Sequence, residues 1–256
     1  MVERVRIPTA TRAPGGATHA HVIGETLLVD PAGTADALDT AITEAGVSHV
    51  AVTHTHPDHV GGVAHYAQRY DLTVWARAGR ENEFHAATGI RPDRTFLPGT
   101  TLPGGVPVLD TPGHAPEHVA FGAQHSWITG DLAVAEGSVV VGAPEGDMRA
   151  YLTSLRRVYA MAPERLYPGH GAIIDNPRAT CARLIGHRLA REERVLKAVE
   201  TGAEAIDDIV AAAYDKDVAG VKDLARATVR SHLEKLAVEG RLEWNGQRAI
   251  PANFSG

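Results

Sequence analysis

His54 and His56 stand two residues apart, and Asp58 and His59 follow at once, so four potential metal ligands occupy six positions. At the end of an extended strand, side chains two apart point the same way, which puts the first two histidines on one side of the chain. Three further candidates stand alone after glycine turns: His114 behind Pro112-Gly113, Asp131 behind Thr129-Gly130, and His170 behind Pro168-Gly169. Each follows a short apolar run, the place from which a rigid sheet presents a loop residue to a shared cleft. Five imidazoles and two carboxylates suit Zn²⁺ first, with Fe²⁺ and Mn²⁺ also compatible, and no thiolate joins them. Seven ligands are enough for two divalent ions. Such a pair, about 3.5–4 Å apart, lowers the pKa of a bound water towards about 7 and so makes a bridging hydroxide available near neutral pH. Asp131 is the carboxylate expected between the ions, where it would offset their repulsion. Asp58 is the group expected to manage the proton of the bridging water.

The chain has 14 histidines, and only these five are assigned as ligands. His19, His49, His65, His85 and His125 read as surface or satisfied core residues, and His21 as an ordinary strand residue. His118, four residues after His114, reads as a group that supports the ligands.

The elements that must position these residues follow from the apolar pattern. Residues 19–24, 26–30, 47–53, 72–76, 106–110, 119–121 and 127–131 read as strands, the last ending on Asp131. Helical spacing covers 34–45, with Gly46 as its C-terminal stop, then 63–70 and 148–161. Residues 79–100, broken by Gly79, Gly89, Pro92 and Pro98, read as an irregular lid or pocket wall. Strands and helices alternate with hairpins, so the first 177 residues form an α/β layered domain. From residue 178 the texture changes to helices at 178–200, 203–214 and 224–239. A hairpin follows over 242–250, with Asn245-Gly246 at its tip. That order makes residues 178–256 a small winged-helix-like domain.

Composition limits the rest. With 256 residues, 44% hydrophobic and 22% charged, the chain is an ordinary globular protein with ample core. The single cysteine, Cys181, excludes an internal disulfide and a Cys-rich structural zinc site. No apolar run reaches membrane-spanning length, and the first 16 residues lack the apolar stretch of a signal peptide, so a cytoplasmic location is expected. The net charge of −6 is uneven: residues 1–177 carry 19 acidic and 12 basic side chains, whereas 178–256 carry 12 and 13. An acidic catalytic half with few lysines is a poor nucleic-acid surface, so a small-molecule partner is expected. The C-terminal unit is then expected to pack on the catalytic domain, shape its pocket or mediate a homodimer.

The motifs THTHPDHVGG, TPGHAPEH, TGD and YPGHG together resemble the signature of the metallo-β-lactamase superfamily. The resemblance implies a four-layer αββα sandwich with the site at one edge of its two sheets. It also implies His54, His56 and His114 around one metal, Asp58, His59 and His170 around a second, and Asp131 bridging. The stretch HRLARE at 187–192, with HLEKL at 232–236 and EGRL at 239–242, resembles the β-lactamase-like protein 2 branch. That branch carries a winged-helix-like C-terminal domain and includes an endoribonuclease, polyketide-releasing thioesterases and many bacterial hydrolases. True β-lactamases, by the same resemblance, are exported and lack the aspartate that stands here as Asp131. The expectation is a binuclear metal-dependent hydrolase of a small acyl substrate, a thioester, ester or lactone. The alternative is a metal-dependent endoribonuclease or phosphodiesterase.

Overall fold

The computed structural model describes residues 1–215 and 218–252. Two sheets face each other. The first is built from β1 (Val2–Pro8), β2 (Ala17–Ile23), β3 (Leu27–Val29), β4 (His49–Ala51), β5 (Thr73–Arg77) and β6 (Arg94–Phe96), in that spatial order. β1, β2 and β3 pair antiparallel, and β3 to β6 pair parallel. Between them run α1 (Asp36–Ala45), α2 (Pro57–Val60), α3 (Val63–Tyr70) and α4 (Glu81–Thr88). The second sheet has the order β11 (Arg165–Pro168), β10 (Ser126–Gly130), β9 (Val119–Ala123), β8 (Val106–Asp110) and β7 (Thr101–Leu102), and α5 (Met148–Met161) crosses from β10 to β11.

Period-two alternation assigns the layers. In β2, Ala20 and Val22 join Leu38, Ile42 and Tyr66 in a core under the first helical layer, whereas Ile23 turns to the other face. There it meets Leu27, Val29, Val108, Phe121 and Ile128 in the seam between the sheets. Outside the second sheet, Leu152 and Leu155 of α5 pack with Leu166, Cys181 and Leu184. The layers therefore run helix, sheet, sheet, helix.

The C-terminal elements are α6 (Pro177–Glu200), α7 (Ile206–Ala213), α8 (Lys222–Val238), and the hairpin β12 (Leu242–Trp244) and β13 (Ala249–Pro251). Within the 178–256 unit, residues 216–217 and 253–256 lie outside the described residues. α6 starts on Asn176, whose side chain accepts the Ala179 N–H, with Pro177 in the first turn where a missing N–H costs nothing. Its first half, at Cys181 and Leu184, belongs to the sandwich core; its second half, from Val195 to Val199, shares a separate core with α7, α8 and the hairpin. The tip of that hairpin is fixed by Asn245, whose side-chain oxygen accepts the N–H groups of Gln247 and Arg248. Among the described residues, no helix is long and apolar enough to cross a membrane.

Residues 2–8 form a full strand, with Val5 and Ile7 turned into the core. One expectation is corrected. Residues 79–100 are not an irregular wall: they hold α4 and β6, with Phe84 in the helix-side core and Phe96 in the seam.

Candidate metal centre

The seven candidate ligands meet at one end of the sandwich. His54, His56 and His114 bring ligand atoms within 4.8 Å of one another, as do His54, His59 and Asp131, and as do Asp58, His59 and His170. β4 ends at Ala51, and the five residues after it carry His54 and His56 to the start of α2, where Pro57 opens a helical turn holding Asp58 and His59. β10 delivers Asp131 and β11 delivers His170. Two glycines make the approach possible. Gly130 has φ 43°, and a Cβ there would lie 2.4 Å from Thr53 Oγ1; a Cβ on Gly169 would lie 2.6 Å from His59 Cε1 and 3.0 Å from Asp131 Oδ1.

Each ligand histidine has one ring nitrogen tied to the protein and the other aimed inward. His114 Nδ1 donates to Val140 O at 2.7 Å, His170 Nδ1 to Ala17 O at 2.9 Å, and His59 Nδ1 to Asp30 Oδ2 at 2.9 Å. Thr53 Oγ1 donates to Asp30 Oδ2 and so accepts from His54 Nδ1 at 3.0 Å. His56 Nε2 lies 3.2 Å from Glu145 Oε2. These acceptors fix the tautomers. The inner atoms His54 Nε2 and His114 Nε2 then sit 3.1 and 2.9 Å from His56 Nδ1, three lone pairs facing one another. Asp131 lies between the groups: Oδ1 is 3.5 Å from both His59 Nε2 and His170 Nε2, and Oδ2 is 3.5 Å from His114 Nε2. His59 Nε2 and Asp131 Oδ1 are buried without a hydrogen-bond partner. Converging lone pairs and orphaned buried acceptor atoms are what a divalent cation satisfies. The donor set fits the metal.

Without a cation, protons take part of that role. Burial disfavours charge on His59, yet Asp131 and Asp30 hold its pKa up to about 10. His170 is raised to about 10 against its burial by Asp131 and Asp58. Burial also opposes ionisation of Asp131, but the neighbouring His59 and His170 keep it far below the usual carboxylate range. His54, fully buried among other histidines, is pushed well down.

Several contributors escaped the sequence reading. Asp30, fully buried, accepts from Thr53 N, Thr53 Oγ1 and His59 Nδ1, and so orients a ligand on each side of the centre. It ends a strand on an acid, the same signal that marked Asp131. Glu117 accepts from Thr55 N and Oγ1 and holds the His54–His56 loop. Glu145 is the partner of His56. His118 is no part of the three groups: its Nδ1 donates to Thr111 Oγ1, and its Nε2 accepts the backbone N–H of Asp131, fixing that residue's approach. His19 holds Gly169 O through its backbone and ring, and His21 is buried and belongs to none of the groups.

A cavity of about 790 Å³ opens over the centre, floored by His56, Asp58, His114, Asp131 and His170. Its walls come from residues 10–14 and 134–140, with Leu224 from α8, and not from 79–100.

Comparison with known proteins bears on the family and the fold. Residues 13–170 match the metallo-beta-lactamase superfamily. A beta-lactamase-like protein 2 homolog of Drosophila melanogaster is 30% identical over 213 residues, which cover 78% of this chain and 71% of that one. Thioesterase pkgB of Emericella nidulans is 36% identical over 156 residues, 59% of this chain and 42% of the relative. The crystal structure of a metallo-beta-lactamase family protein from Thermus thermophilus superposes with a TM-score of 0.77 at 23% identity, covering 98% of both chains.

Proposed function

The chain belongs to the metallo-beta-lactamase superfamily, and from that premise we propose that it is a binuclear metal-dependent hydrolase of a small acyl substrate, a thioester before an ester or lactone. His54, His56 and His114 would hold one divalent ion, Asp58, His59 and His170 a second, and Asp131 would bridge them, with Zn²⁺ the first candidate. Bound there, the ions would acidify a water and polarise the substrate carbonyl. The observation that carries the reading is the set of five imidazoles whose outer nitrogens are committed to the protein and whose inner nitrogens converge around Asp131.

The chain's own groups do the remaining work. Asp58 lines the cavity and stays ionised: burial resists its charge, but hydrogen bonds from His170 and Thr11 hold its pKa well down. Its carboxylate accepts the proton of the attacking water and returns one to the leaving thiolate or alkoxide. Asp30 and Glu145 keep His59 and His56 in the orientation ligation needs. Outside the cluster, the described cavity lining carries only Arg12 and Glu136 as charged groups, and Arg12 is paired with Asp223. Among these described residues no free cation waits for a phosphate chain, which favours acyl over phosphodiester chemistry. We read residues 178–256 as a winged-helix-like unit that serves the pocket.

The test is a hydrolysis panel of acyl thioesters, lactones, phosphodiesters and single-stranded RNA with defined metals. Metal-dependent thioester turnover is expected; cleavage of RNA with no acyl turnover would refute the reading.

A further inference from the structure

Residues 134–140 link the strand that carries Asp131 to α5, and they contain no helix or strand of their own. Such a loop would ordinarily leave its carbonyls to water. Here side chains take five of them. Arg183 of α6 donates through Nη1 to Gly137 O at 2.6 Å, and through Nη2 to Val134 O at 2.9 Å and Ala135 O at 3.0 Å. Arg188, further along α6, is buried; it donates to Val139 O and lies over the Tyr151 ring at 5.6 Å. Val140 O takes the remaining bond, from the candidate ligand His114. The loop is thus clasped between the C-terminal helix and the metal centre.

What the clasp presents to the cavity is mostly apolar, with Glu136 and Ser138 as its polar members. Val134, Ala135, Val139 and Val140 line it, with Pro14 from the N-terminal loop and Leu224 of α8. Val140 keeps 38% of its surface exposed, an open apolar face directly beside His114. The volume suits a ligand of some length, and the valines and alanine of the wall offer it hydrophobic contact.

We propose that Arg183 and Arg188 are specificity-determining positioning residues: by holding loop 134–140 they build the wall along which the apolar acyl chain of the substrate lies. The C-terminal helices therefore set chain-length preference, although they supply no ligand to the centre. A planar guanidinium can bind three fixed carbonyls at once, so Arg183 locks the loop's shape. Removing it frees three carbonyls to water and lets the wall move away from the chain. The inference rests on the acyl-hydrolase reading for its chemistry and on the clamp alone for its geometry.

Two measurements separate those supports. The first is binding of cis-parinaric acid, an apolar fluorescent chain, to the metal-loaded full chain. The second is the ratio of kcat/KM for S-decanoyl- over S-acetyl-N-acetylcysteamine. Wild type should bind the probe and prefer the longer thioester. Arg183→Ala, at an exposed position, and Val140→Asp, on the wall itself, should each weaken probe binding and lower the ratio by about tenfold. The loss should fall on KM for the decanoyl substrate more than on kcat. Arg188→Met should act in the same direction. Probe binding that depends on Arg183 with no thioester turnover would keep the clamp and remove the hydrolase reading. Acetyl turnover with no probe binding, or an Arg183→Ala protein with the wild-type ratio, would overturn the proposal.

Discussion

Among the described residues, two clusters of buried charge are built on opposite principles. In the C-terminal unit, Glu192 of α6 accepts from Lys235 Nζ at 2.7 Å and His232 Nδ1 at 3.3 Å, and Lys235 also reaches Glu239 at 2.9 Å. Two acids, one amine and a neutral imidazole answer one another, and of these side chains only His232 Nε2 is left over. At the sandwich edge, the outer nitrogens are equally well answered, but the inner ones confront each other and leave His59 Nε2 and Asp131 Oδ1 orphaned. A closed network contributes to the fold; an open one whose members are individually well oriented awaits a ligand.

The comparison breaks most visibly at Asp131. Asp131→Ala should reduce hydrolysis to background and remove bound metal while the far-ultraviolet circular dichroism stays that of the wild type. Unchanged turnover would show that the open cluster is not the working one. Glu192→Ala does the reverse: it strands a buried lysine and should cost about 3 kcal/mol in urea unfolding, while metal content stays unaltered. A smaller effect is expected at Asp30→Asn. An amide nitrogen in place of one oxygen cannot accept from both His59 and Thr53, and metal affinity measured against a chromogenic chelator should fall about 10- to 100-fold.

The two clusters also answer pH with opposite signs. In cation-free protein, His59 and His170 have folded pKa values raised to about 10 by neighbouring carboxylates. Their contribution is complete below an unfolded value of about 6.5 and is lost as pH rises towards about 10. In the C-terminal cluster, burial lowers His232, and the His232 and Lys235 contacts lower Glu192 despite its burial. Those contributions fade on acidification, first below about 6.5 and then below about 4.3. Thermal unfolding of chelator-treated protein should therefore soften at both ends, and added metal should protect most at high pH, where it no longer competes with protons. Equal metal protection at pH 6 and pH 9 would contradict the open-cluster description.

The sequence showed the ligands themselves more clearly than the groups that hold them. His54, His56, Asp58 and His59 crowd one segment, and the other three follow glycine turns after apolar runs; those signals are local. Asp30 meets His59 across 29 positions, and Arg183 meets loop 134–137 across 46 to 49, contacts that only the folded topology creates. α4 and β6 were obscured because Phe84 and Phe96 serve different cores within a segment punctuated by Gly and Pro. The helix–sheet alternation, α1 with its left-handed Gly46 stop, and the long α6 were legible because pattern and punctuation agree there.

The central claim, that five oriented histidines and two aspartates form a seat for paired cations, is tested most directly by elemental analysis of metal-supplemented, dialysed protein. The account predicts about two divalent ions per chain, lost together in Asp131→Ala. Folded wild-type protein that retains none after supplementation would contradict it.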